Sequence, residues 1–104
     1  MSEYTPDAWV IVEMSHKGQK VKKVLAGWYG GYLGADTWRL SSGIILEVDN
    51  LDYYDFHNES GSVYHCHKKS QRFTGLMSNM YANWQRQITE DTKIEHIPYG
   101  EKND

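Results

Sequence analysis

A chain of 104 residues is the size of one ordinary domain and can bury a core without staples; at 39% hydrophobic content, much of that core must come from its four Trp, eight Tyr and two Phe. A net charge of −3, with only the short basic clusters Lys20/Lys22/Lys23 and Lys68/Lys69/Arg72, argues against nucleic acid as the main partner, since tight nonspecific binding needs a broad cationic face. Cys66 is the sole cysteine, which excludes an intrachain disulfide framework; with no leader-like segment at the polar N-terminus and no bilayer-length apolar run, the expected location is the cytoplasm, with no membrane partner.

Residues 1–7 read as a loosely held lead-in. Residues 9–14 (Trp-Val-Ile-Val-Glu-Met) are β-branched and apolar and predict a strand. Ser15 to Gln19 predicts a turn, and residues 20–28 return as a second strand, completing a hairpin. Residues 27–34 alternate glycine with aromatics and read as a loop. Residues 37–40 and 44–48 predict strand segments, broken at Ser41-Ser42-Gly43 by a kink, bulge or turn.

Asp49 to Asp52 is turn chemistry. Residues 53–57 and 63–68 predict two strands around a five-residue loop, residues 58–62. Tyr54, Phe56, Tyr64 and Cys66 share one parity and predict the buried face. Asp55, His57, His65 and His67 share the other and predict the exposed one.

The period then changes. Phe73, Leu76, Met77, Met80, Tyr81, Trp84 and Ile88 recur at spacings of three and four, spanning an arc of roughly 140° on a helix. This predicts an amphipathic helix over about 74–88, capped by Ser70 or Thr74. Residues 93–97 predict a short last strand, and residues 99–104 a loose, charged tail.

Strands joined by short turns imply an antiparallel sheet, whose apolar face the helix must cover. The expected fold class is α+β: one domain over 1–104, with a twisted antiparallel sheet of about five to seven strands and one helix on one face. A half-open barrel is the variant.

The search for chemistry finds no complete catalytic motif. With a five-residue loop, Asp55 faces His65 and His57 sits one pair away, so Asp55, His57, His65 and His67 are zinc-compatible ligands on one surface. The same alternation describes an ordinary polar strand face, and no metal-ligand spacing accompanies it. His57-Asn58-Glu59 matches half of a zinc deaminase signature, whose cysteine half is absent. There is neither a G-x-S-x-G elbow nor a phosphate-cradling glycine loop. No cofactor is expected, and Cys66 reads as a small buried hydrophobe.

The glycine–aromatic loop offers binding chemistry instead. Trp28, Tyr29, Tyr32, Trp38 and Arg39 suit a protein interface or stacking on a base, although aromatic rings in small domains mostly pack. The outer face of the helix (Ser78, Asn79, Ala82, Asn83, Gln85 and Gln87) is nearly uncharged, which is compatible with a homodimer or partner contact.

The strings Trp38-Arg39-Leu40-Ser41-Ser42-Gly43-Ile44, Tyr54-x-Phe56 and residues 60–68 (Ser-Gly-Ser-Val-Tyr-His-Cys-His-Lys) resemble a group of small uncharacterised proteins of tailed bacteriophages. The resemblance covers about the middle third of the chain and implies expression in bacterial host cytoplasm. It transfers no active site. The leading expectation is an accessory protein that binds stoichiometrically and inhibits or modulates a host or defence protein. One alternative is a binder that sequesters a nucleotide-like signal through aromatic faces and Arg39, Lys68 or Arg72. Another is a metal-dependent hydrolase built on the histidine row.

Overall fold

The run Ala8-Trp9-Val10-Ile11-Val12 is apolar at every position, so a strand made from it must be covered on both faces. In a computed structural model that describes residues 2–100, it is. The strands are β1 (Glu3–Tyr4), β2 (Ala8–His16), β3 (Gln19–Trp28), β4 (Thr37–Leu40), β5 (Ile44–Asp49), β6 (Tyr53–Asn58), β7 (Val63–His67) and β8 (Thr92–Ile97). The helix α1 (Gly75–Gln87) lies between β7 and β8 in sequence. One sheet has the order β1-β7-β6-β5 and the other β4-β3-β2-β8. All pairs are antiparallel except β1 with β7.

The fold is α+β, with antiparallel pairing dominant and one helix on a sheet face. The eight strands divide between two open sheets, and the β4-β3-β2-β8 sheet is the middle layer. Trp9, Ile11, Val24 and Ala26 face the first sheet, where Phe56, Tyr64 and Cys66 meet them. Val10, Val12 and Leu25 face the helix, where Met77 and the partly buried Phe73, Tyr81, Trp84 and Ile88 meet them. Trp9 also donates its indole N–H to the His67 carbonyl at 2.8 Å, tying the two sheets together.

Thr74 caps the helix. Its hydroxyl accepts from the Met77 N–H at 3.1 Å, while the Met77 sulfur accepts from the Thr74 N–H at 3.4 Å. Close approach of helix and sheet depends on Gly27 in β3, where a Cβ would stand 2.5 Å from the Met77 sulfur. On the outer helix face, Gln85 donates to the Ile94 carbonyl, so that amide ties helix to β8.

The predicted break at residues 41–43 is the crossover between sheets. Ser41 is buried, its hydroxyl accepting from Val24 N–H at 2.9 Å. Gly43 adopts φ +154°, and a Cβ there would sit 3.0 Å from a Val21 methyl.

The lead-in differs from expectation. Glu3 and Tyr4 pair with Val63 and Tyr64, Pro6 is buried, and Asp7 N–H donates to the Gly27 carbonyl at 2.9 Å. The physical reason is Tyr4, whose ring packs 4.9 Å from Tyr64 and 6.2 Å from Trp28. Tyr99, expected in a loose tail, is held by Gln71, which accepts from its N–H at 2.7 Å and donates to its carbonyl at 2.8 Å. Residues 101–104 of that predicted tail lie outside the described residues, as does Met1.

Candidate functional site

Of the five residues expected to carry binding contacts, the four whose side chains the structure describes, Trp28, Tyr29, Trp38 and Arg39, pack against different neighbours. Trp28 packs against the inter-sheet core and donates its indole N–H to the Thr5 carbonyl at 3.1 Å. Tyr29 is 48% exposed, with Arg72 donating to its hydroxyl at 3.4 Å and the guanidinium 5.9 Å from its ring. Tyr32 belongs by its backbone to a short 3-10 turn, Tyr32–Gly34, and its side chain lies outside the described residues. Trp38 and Arg39 are neighbours on β4 and so project to opposite faces. Trp38 packs edge-on against Trp84 of the helix, with ring centres 5.6 Å apart. Arg39 lies over the Tyr4 ring at 4.6 Å.

The three cations of the nucleotide alternative are likewise apart. Arg39 is on Tyr4, Arg72 is on Tyr29, and Lys68 pairs with Asp49 at 2.5 Å. Arg39 and Lys68 line separate pockets.

The histidine row has the register expected of it, with Asp55 opposite His65 and His57 opposite Val63. Two of its three rings, however, His65 and His67, are engaged. Asp55 Oδ1 holds His65 Nδ1 at 2.5 Å, and Asp55 Oδ2 accepts from Asn50 at 2.6 Å. Tyr53 stacks flat on His65, with centres 3.8 Å apart and planes 9° apart, and meets His67 edge-on at 4.9 Å. His67 Nδ1 accepts from the Lys69 N–H at 3.1 Å. Among the described residues, no three His, Cys, Asp or Glu side chains converge on a point that could hold a metal ion. The reason is Tyr53, which sits opposite His67 and inserts its ring among the imidazoles. Within the row, Tyr53 and His65 form a flat stack with His67 edge-on to Tyr53. Cys66 is buried on the opposite face, where burial and then the Asp55 charge push its thiol pKa far up, so it stays protonated and unreactive.

Alternation predicts this face as the exposed one; what it does not reveal is that the face runs on to a sheet edge at β5. Leu46 pairs with His57 and Val48 with Asp55, which extends the face from β7 across β6 to β5. β5 is the edge of its sheet, with β6 on one side and no strand on the other among the described residues. A register shift between Ile44 and Leu46 leaves Ile45 bulged. Ile45 is 66% exposed, Leu46 54%, and Leu51, in the turn after β5, 88%. The sequence signal was the apolar run at residues 44–48, read as an ordinary strand segment. No family model matches the chain, and no curated protein or solved structure shows significant similarity to it.

Proposed function

We propose that the protein acts by stoichiometric binding of a protein partner, through the free edge of β5 and the adjoining outer face of the first sheet. The observation that supports this reading is the exposure of Ile45, Leu46 and Leu51, three large apolar side chains held in water on one edge strand and its turn. A free edge offers unpaired backbone N–H and C=O groups, and apolar side chains beside it supply contact area. Beside them Tyr53 stacks flat on His65, an aromatic surface that adds contact area next to the edge. In the setting that the phage resemblance implies, the partner is a host or defence protein whose activity the contact blocks or alters.

The test is affinity capture from bacterial lysate with the wild-type chain and an Ile45→Glu/Leu46→Glu variant. The expected result is a stoichiometric partner retained by the wild type and absent from the folded variant. A folded wild-type bait that captures nothing and sediments as a monomer would sink the reading. A dimer dissolved by the same substitutions would assign the edge to a second copy of the chain.

A further inference from the structure

Away from that edge, a separate concavity of about 390 Å³ opens where β4 and the following crossover meet β1 and the loop before β7. Its walls carry Arg39, Tyr4, Tyr64 and the serines Ser41, Ser42, Ser60 and Ser62, with no carboxylate among its lining residues. We propose that this pocket binds a small phosphate-type oxyanion, with Arg39 as the charged anchor.

The hydroxyls there are set to donate. Ser41 Oγ accepts from Val24 N–H at 2.9 Å, and Ser42 Oγ accepts from Ser60 N–H at 3.1 Å. Each thereby uses an acceptor position and keeps its own proton, for which the structure shows no acceptor among the described residues. Ser60 and Ser62 share one hydroxyl–hydroxyl bond at 3.1 Å, so one of their two protons remains free. Arg39 has no carboxylate partner among the described residues. A pocket that presents a guanidinium and several hydroxyl protons selects a ligand that only accepts.

The acidic residues nearest in sequence are turned elsewhere. Glu59 lines the groove on the other side of the crossover, its carboxylate within 3.4 Å of where a Gly43 Cβ would lie. Glu3 alternates with Tyr4 on β1 and so projects from the opposite face. The pocket also discriminates against a nucleobase. Tyr4 is already engaged by Arg39 at 4.6 Å, Tyr64 at 4.9 Å and the edge of Trp28 at 6.2 Å, so no free ring face is offered for stacking. The ligand class is therefore free phosphate or a phosphoryl group on a hydroxyl-rich carrier.

The experiment is calorimetric titration of the full chain with inorganic phosphate, ribose 5-phosphate and adenosine 5′-monophosphate, at ionic strength matched with chloride. Amide and Arg39 side-chain NMR shifts locate the site. Saturable one-to-one binding that moves the Arg39, Ser60 and Ser62 signals is expected. Arg39→Gln should weaken it by about tenfold or more, the loss of a charged hydrogen-bonding partner. Because Arg39 also packs on Tyr4, Ser62→Ala is the second variant; it leaves that packing intact and should weaken binding by a few-fold. Equal affinity for phosphate and ribose 5-phosphate assigns the free ion, and tighter ribose 5-phosphate binding assigns the ester. No saturation by about 10 mM phosphate, undiminished binding in both variants, or clear preference for the nucleotide would each overturn the proposal.

Discussion

The two sheets are built from the same kind of antiparallel strand, yet they live in different solvents. The β4-β3-β2-β8 sheet is sealed on one side by the other sheet and on the other by the helix, so Ala8 to Val12 are buried residue after residue. The β1-β7-β6-β5 sheet is sealed on one side only. Its inner residues, Phe56, Tyr64 and Cys66, are as buried as any, while its outer face carries Asp55, His57, His65 and the exposed β5 edge. Stability is therefore concentrated in the middle layer, and the surface free to meet another molecule is concentrated on the first sheet.

The largest test of that division is Trp9→Ala. It empties the junction of the two sheets and removes the indole bond to His67, and should cost about 3–5 kcal/mol, read by chemical denaturation. A loss under 1 kcal/mol would mean the middle layer does not carry the fold.

Gly27→Ala comes next. The new methyl meets the buried Met77 sulfur and the Thr74 methyl, so helix and sheet must separate slightly. An expected loss of about 1–3 kcal/mol checks the tightness of that contact.

His96 gives the middle layer a pH dependence. It sits on β8 against Phe73, with its Nε2 buried and unpartnered, and burial holds its pKa below the usual imidazole range. The folded state thus takes up a proton less readily than the unfolded chain does. The stability that neutral His96 supports is complete above about pH 6.5 and falls as the pH drops below it. His96→Phe should flatten this acid-side loss in a series of denaturation curves from neutral pH downward; an unchanged slope would move the cause elsewhere.

The smallest effect belongs to the open face. Asp55→Asn removes the charged partner of His65 but leaves the stack on Tyr53, and should cost about 1 kcal/mol or less, because the pair is partly solvated. A much larger loss would show that this face, too, is part of the structural core.

The sequence determined the local elements and their faces. Periodicity of two put Phe56, Tyr64 and Cys66 inside and the histidines outside, and periodicity near 3.6 marked the helix and its Met77–Trp84 stripe. The Asp55–His65 pairing followed from loop length, and Thr74 was among the cap residues expected. Tertiary structure decided the rest. A run such as Ala8 to Val12 says that both faces are covered, but not whether by helices, sheets or one of each. Strand order left β5 as an edge, which no alternation pattern encodes. The lead-in became β1 only because Tyr4 found a place between Trp28 and Tyr64, more than twenty and about sixty residues away in the chain. The same long-range assembly gave Arg39 its serine-lined pocket. Period and turn chemistry act over a few residues, whereas which faces meet depends on burial summed over the whole chain.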